Sequence, residues 1–231
     1  MATFVLLHPP LLGPAVWGPC AAVVAAGGHR AVVPDLREAL DRPERWWEPA
    51  TDLAAAALTV ASPDSPAGAG LVVVAHSGAG VLVPLVTSRL GASAAVFVDA
   101  LVPTAAATAP SEGFRDFLAG LPVSDDGHLP PWSTWWGPDA MAEQVPDPEL
   151  RRAIEADQRV LPVAFYDHAV PTPPDWTPAR VGYLRLSPAY ADDADEAVAR
   201  GWPTRRLDGR HLDLATRPDE VAAAIVLLAD A

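Results

Sequence analysis

The clearest pattern of a strand buried on both faces is Leu71–Ala75, five apolar residues running into His76-Ser77 and then Gly78-Ala79-Gly80. Its β-branched content and Gly boundary predict a strand, a sharp turn and a helix Gly78–Leu90, with Ser77 at the apex. Upstream, Thr3–Leu7 predicts a short strand that His8-Pro9-Pro10 stops, because prolines cannot continue a ladder. Ala15–Ala26, closed by Gly27-Gly28, predicts a helix. His29–Leu36 predicts a second strand, and Thr51 or Asp52 is placed to cap a helix reaching Ala61. The Pro/Gly/Ser segment Ser62–Gly70 predicts a loop, and Ser93–Asp99 a further strand. Strands and helices that alternate in this way predict a parallel, doubly wound sheet with right-handed crossovers.

From about Leu101 to Pro178 the alternation stops. This stretch is rich in Pro and Trp and predicts short helices at Glu112–Ala119, Asp139–Gln144 and Pro148–Val160, with no central strand. It reads as a cap inserted over the sheet. Alternation resumes with a strand Val181–Leu186, a helix Asp192–Arg200, a strand Thr204–Leu207 and a helix Pro218–Ala229. One domain is expected, with its core in 1–100 and 179–231 and its cap in about 101–178.

The apex serine is the first candidate for chemistry. A serine on a strained strand-to-helix turn needs small neighbours two residues before and after it, the pattern G-x-S-x-G. Ala75 and Ala79 stand at those two places, with Gly78 and Gly80 beside them. The N–H of Gly78, the residue after the serine, is placed to stabilise a developing oxyanion. Capping the following helix is the plainer role for Ser77, but the buried strand before it and the Gly209-Arg210-His211 segment near the end favour a nucleophile.

Composition narrows the partners. With 231 residues, 50% hydrophobic and 19% charged, the chain has material for a large α/β interior. A formal net charge of -13 disfavours nucleic acid and anionic lipid surfaces. The one cysteine, Cys20, excludes an internal disulfide and suits a reducing cytoplasm. The opening MATFVLLH enters a strand directly, so neither secretion nor membrane anchoring is expected. Every basic side chain apart from histidine is an arginine, so lysine enters no mechanism. His128 and His168 lack metal-ligand spacing, and no metal or cofactor is expected.

Taken in order, the VLLH strand, the VVPDL strand end, the AHSGAG turn, VFVDALVP, the Asp208-Gly209-Arg210-His211-Leu212 segment and Arg217-Pro218-Asp219-Glu220-Val221 resemble the α/β-hydrolase fold family, serine-nucleophile branch, over nearly the whole chain. The opening strand resembles the one before that family's oxyanion loop, so the earliest strands of the full family sheet are expected to be missing. The resemblance implies that His211 is the catalytic base, on the loop between the last short strand and the last helix. Where most of the family carries its acid, after Val181–Leu186, the chain reads Ser187-Pro188-Ala189-Tyr190. A different branch hangs the acid one strand earlier, which here is Asp99, at the end of a buried strand. Asp192 and Asp193 are the alternatives, and capping a helix is their commoner role. The loop after His8 departs from the family, because Pro9 and Pro10 have no N–H to offer an oxyanion and Leu11 is the next backbone donor. His8 and His76 read as hydrogen-bonded anchors.

Phe114, Phe117, Trp132, Trp135, Trp136, Phe165, Tyr166 and Trp176 concentrate in the cap. They predict an apolar chamber, with Trp132, Trp135, Trp136, Phe165 and Tyr166 as its substrate-binding rings. The expectation is a cofactor-independent serine hydrolase, monomer or homodimer, that cleaves a small or medium apolar ester, lactone, thioester or amide through an acyl-enzyme. The alternatives are a cyclase or lyase of secondary metabolism using the same Ser/His pair, and a ligand receptor on this fold. The Ser nucleophile disfavours dehalogenase and epoxide hydrolase chemistry, and the absence of lysine disfavours the hydroxynitrile lyase mechanism.

Overall fold

The computed structural model describes residues 1–61 and 70–231. In chain order its elements are β1 (Thr3–Leu7), α1 (Gly18–Ala26), β2 (Arg30–Val32), α2 (Trp47–Ala61), β3 (Leu71–Ser77), α3 (Val83–Leu90), β4 (Ala94–Ala100), β5 (Ala107–Thr108), α4 (Glu112–Ala119), α5 (Ala140–Gln144), α6 (Pro148–Ala156), β6 (Val170–Pro171), β7 (Arg180–Arg185), α7 (Ala191–Ala199), β8 (Thr204–Arg206), α8 (Asp213–Thr216) and α9 (Pro218–Asp230). Short 3-10 turns connect several of them.

Six strands form a parallel sheet in the order β2-β1-β3-β4-β7-β8. From β1 the chain winds outward to β2, then returns to β3 and proceeds the other way. The topological switch therefore lies between β1 and β3, where open α/β sheets leave a crevice at the carboxyl ends of their strands. The loop His8–Leu12 and Ser77 flank that crevice. Alternate strand residues feed two cores. Val5, Leu7, Val73 and Ala75 meet Ala50, Ala54, Val86 and Ala197 on one face. On the other, Phe4, Leu6, Val72 and Val74 meet Trp17, Val24, Ile225 and Leu228. Cys20 is fully buried in this second core, where burial pushes its thiol up to about 12 and leaves it inert.

Several expected boundaries shift, each for a local reason. The second strand shrinks to Arg30–Val32, an edge strand cut off by Pro34. The first helix opens as a 3-10 turn over Pro14–Trp17 and becomes α-helical at Gly18, with Pro19 in its first turn. Thr51 and Asp52 cap nothing, because α2 begins at Trp47 and Thr51 Oγ1 donates back to the Trp47 carbonyl at 2.7 Å. Helix α6 ends at Ala156, not Val160, and the next residue, Asp157, accepts from Ala15 N at 2.9 Å and from Arg37 at 2.9 Å. The helix after Ser77 starts as a 3-10 turn, Gly78–Leu82. All of the expected loop Ser62–Gly70 except Gly70 lies outside the described residues.

The segment between β4 and β7 holds α4, α5, α6 and the antiparallel pair β5-β6. It has a small core of its own in Leu118, Leu129 and Trp135. Where it leaves the sheet, Leu101 N donates to the Ser77 carbonyl at 3.1 Å. The Leu101 carbonyl then crosses the turn so closely that a Cβ on Gly80 would lie 2.1 Å from its oxygen. Gly80, three residues past the serine, is thus the position where the turn demands glycine, while Ala79 is accommodated in the core.

Gly80→Ala is expected to cost at least about 2 kcal/mol, because the obstructing atom is backbone and cannot rotate away. Gly18→Ala, where a Cβ meets nothing within 4 Å, is expected to cost nothing. Urea unfolding midpoints of the two variants check the contrast.

Candidate active site

Ser77 ends β3 with φ 57° and ψ −131°, a strained conformation for a side-chain-bearing residue. The turn lifts its hydroxyl clear of the sheet edge. Asp99 is also strained, with φ 44°. The cause is a bulge in β4: His76 pairs with Val98 and Ser77 with Ala100, so Asp99 is the extra residue. Tyr183, on β7, supports the bulge, its hydroxyl donating to the Ala100 carbonyl at 2.9 Å and accepting from Ala100 N at 3.2 Å.

The bulge turns a fully buried carboxylate toward the loops after β7 and β8. Asp99 Oδ1 accepts from Leu186 N at 2.9 Å and Ser187 N at 3.0 Å. Its Oδ2 accepts from Ser187 Oγ at 2.6 Å and pairs with His211 Nδ1 at 2.8 Å. Burial alone would raise the Asp99 pKa, but the bonds from His211 and Ser187 more than offset it and hold the group below the usual carboxylate range. A carboxylate facing Nδ1 fixes the proton there and leaves Nε2 of His211 with a free lone pair, the form a general base needs.

His76 lies behind this pair. It is fully buried, its ring centroid 4.3 Å from that of His211, and its Nε2 donates to the His211 carbonyl at 3.0 Å. Burial first, then the neighbouring His211, hold His76 well below its ordinary pKa, so it is a neutral strut. His8 likewise anchors a loop: its Nε2 accepts from Leu36 N at 2.9 Å, and its Nδ1 faces the Pro9 carbonyl at 3.0 Å.

The structure brings Ser77, Asp99 and His211 to one edge of the sheet, and it adds a residue that the sequence did not single out. Tyr190 OH lies 2.8 Å from Ser77 Oγ, and its ring stacks on His211 with centroids 5.1 Å apart and an interplanar angle of 8°. Among the described residues, the hydrogen bond of Ser77 Oγ goes to this phenol and not to His211. Its sequence signal is the segment Ser187-Pro188-Ala189-Tyr190, which lacks a carboxylate but ends in a tyrosine. Asp193 is not at His211: its Oδ1 accepts from Val102 N at 2.7 Å, and burial raises its pKa. Asp192 is exposed in the first turn of α7, and neither aspartate caps that helix.

On the oxyanion side, Gly78 N–H opens the turn after the serine, and a Cβ on Gly78 would meet Pro10 Cδ at 3.5 Å. The ring carbon that stands in place of an amide proton at Pro10 therefore packs beside Gly78. Leu12 N donates to the Pro9 carbonyl at 3.1 Å, which makes Pro10 and Leu11 the middle of a turn. Of the expected chamber rings, Trp132 stands 6.3 Å from His211 between ring centroids, and Tyr166 packs edge-on against Phe114 and Phe165, its phenol pushed up by burial first and by Tyr190 second. The other three have contacts of their own. Trp135 is buried against Phe114 and Phe117, its Nε1 donating to the Pro130 carbonyl. Trp136 is 57% exposed and stacks on Phe117. Phe165 is buried against Trp46. Packing takes up Trp135 and Phe165, while Trp136 stays largely open beside Trp132. Among the described residues, no three metal-ligating side chains converge, and no helix is long and apolar enough to cross a membrane.

This topology and serine turn define the α/β-hydrolase fold. Solved structures of that fold superpose over almost the entire chain. An extracellular α/β-hydrolase from a Paenibacillus species, described as sharing structural and functional homology with tobacco salicylic acid binding protein 2, has a TM-score of 0.73 at 16% identity and covers 99% of each chain. Polyneuridine aldehyde esterase has 0.69 at 19%, covering 98% of each. Tomato methylketone synthase I in complex with 2-tridecanone has 0.73 at 17%, covering 99% of this chain and 98% of its own. No family profile and no curated relative matches the sequence.

Ser187→Ala removes one bond to a buried anion and is expected to cost about 1.5–3 kcal/mol near pH 7. Because the folded pKa of Asp99 is depressed, its stabilisation is present above the unfolded value of about 4 and is lost as pH falls through the folded value. The deficit of Ser187→Ala should therefore be largest at neutral pH and fade in acid. Urea titrations of wild type and variant across the acid range check the sign.

Proposed function

We propose that the chain is a cofactor-independent serine hydrolase that acts on a small or medium apolar ester, lactone, thioester or amide. The observation that carries this reading is the 2.8 Å bond between His211 Nδ1 and the buried Asp99 carboxylate, at the same sheet edge as a serine held in a strained turn. Ser77 Oγ attacks the carbonyl carbon while His211 Nε2 takes its proton, and Asp99 orients the ring and stabilises the imidazolium. Gly78 N–H receives the oxyanion, and Leu11 N–H is the backbone group that follows the two prolines. His211 returns the proton to the leaving oxygen, nitrogen or sulfur, and water then releases the acyl group by the same route.

The apolar substrate class is supported by the rings inserted between β4 and β7, of which Trp132 stands 6.3 Å from His211. Names among the neighbours agree with it: polyneuridine aldehyde esterase, a pyrethroid hydrolase, and a methylketone synthase holding a long-chain ketone. The single buried cysteine suits a reducing cytoplasm, although the Paenibacillus hydrolase is extracellular. A monomer or homodimer with a small-molecule partner completes the proposal. Pro10 Cδ against Gly78 favours a second reading, a cyclase or lyase in which Ser77 and His211 move protons without an acyl-enzyme.

A fluorophosphonate probe is expected to label the wild type and not Ser77→Ala, and mass spectrometry during ester turnover to find acylated Ser77. Asp99→Asn should lower kcat by about 10³–10⁴, while Asp192→Asn and Asp193→Asn stay within about threefold. Folded wild type that takes no label and turns over no ester refutes the hydrolase, and turnover with Ser77 never acylated selects the second reading.

A further inference from the structure

Acyl transfer on this fold needs donors on both sides of the developing oxyanion, and loss of one costs on the order of 10²–10³ in rate. Gly78 N–H is one such donor. The loop after β1 faces Gly78 with a proline ring carbon in place of an N–H. The polar group that does touch the nucleophile is the Tyr190 hydroxyl, 2.8 Å from Ser77 Oγ.

We propose that the Tyr190 hydroxyl is the second oxyanion donor of this site and does the work that the backbone of Pro10 cannot. The inference rests on the serine-hydrolase reading above and adds a fourth catalytic residue to it. The oxyanion is bonded to the carbon that Ser77 Oγ attacks. A donor already in contact with Oγ therefore reaches it by rotating its O–H, with a small tilt of the ring.

The step balances without any other reactant. As the Oγ–C bond forms, the carbonyl π pair moves onto oxygen and the serine proton passes to His211 Nε2. Tyr190 turns its O–H from Oγ to that oxygen and keeps its proton. On collapse the pair re-forms the C=O bond, the bond to the leaving group breaks, and the leaving atom takes the proton from His211.

Three features fit the phenol for this role. Its ring lies flat on His211, which fixes the hydroxyl relative to the base. Its backbone closes the short turn Pro188–Tyr190 that follows Ser187, and Ser187 is bound to Asp99, so one segment positions both donor and acid. Burial raises its pKa above that of a free phenol, so it remains an O–H donor at neutral pH.

Kinetics on a p-nitrophenyl ester series test the proposal with variants that keep the ring stack. Tyr190→Phe is expected to lower kcat about 10²-fold with KM within about threefold, the signature of a contact made only in the transition state. Pro10→Ala restores an N–H beside Gly78. It is expected to recover about tenfold or more of kcat in the Tyr190→Phe background and to change the wild type far less. Thermal melts confirm that each variant folds. Tyr190→Phe with kcat unchanged or raised overturns the proposal, reducing the phenol to a latch on Ser77 or giving the role to Leu11 N–H. A loss that Pro10→Ala does not repair overturns it too. Ser77-dependent turnover indifferent to Tyr190 sinks this inference alone, whereas a wild type with no Ser77-dependent turnover sinks the hydrolase reading with it.

Discussion

The site depends on a buried negative charge. Asp99 is fully buried, and an unpaired carboxylate there would be costly enough to protonate or unfold its surroundings. Four hydrogen bonds prevent this: two from the backbone at Leu186 and Ser187, one from the Ser187 hydroxyl and one from His211. These bonds tie the end of β4 to the loops after β7 and β8. The orientation of His211 is a consequence of satisfying Asp99. His211 is held on its other side as well, by its carbonyl on His76 and by the flat ring of Tyr190.

Strain marks the same place. Ser77 and Asp99 both have positive φ, at a cost of about 1–3 kcal/mol each, and they sit on adjacent strands at a bulge. The structure offsets that cost locally. Leu101 N donates to the Ser77 carbonyl, and Tyr183 satisfies both backbone groups of Ala100. Gly80 lets the Leu101 carbonyl approach the turn. The tight packing of β3 on β4 thus fixes the direction of two side chains that a relaxed ladder would send elsewhere.

The sheet was legible in the sequence because strands buried on both faces are written in continuous apolar runs, and Leu71–Ala75 and the run into Asp99 could hardly be anything else. Boundaries were less so. Thr51 looked like a cap because its side chain suits one, yet Pro49 is tolerated in a first turn and the helix begins at Trp47. The rings of the cap could be counted but not aimed, since aromatic content does not distinguish Trp132, near the base, from Trp135, spent on packing. The bulge that turns Asp99 inward has no sequence signature, because it arises from how β3 and β4 pair. The contact of Tyr190 with Ser77 has no sequence signature either, because it spans 113 positions and depends on how the loop after β7 folds back over His211.

That segment links acid and nucleophile. In the family pattern the loop after the strand equivalent to β7 carries the acid and so has to place a carboxylate beside the histidine. Here the carboxylate bonded to His211 comes from β4, and the loop after β7 carries none. Its second residue, Ser187, donates to the Asp99 carboxylate, and its last, Tyr190, reaches Ser77. On the reading proposed above, the acid shifted by one strand and the donor that Pro10 lacks therefore meet in this one loop. Among the described residues, this loop lays a ring flat across His211 with its hydroxyl on Ser77, and on the reading proposed above a site short of one backbone donor gains most from a phenol there.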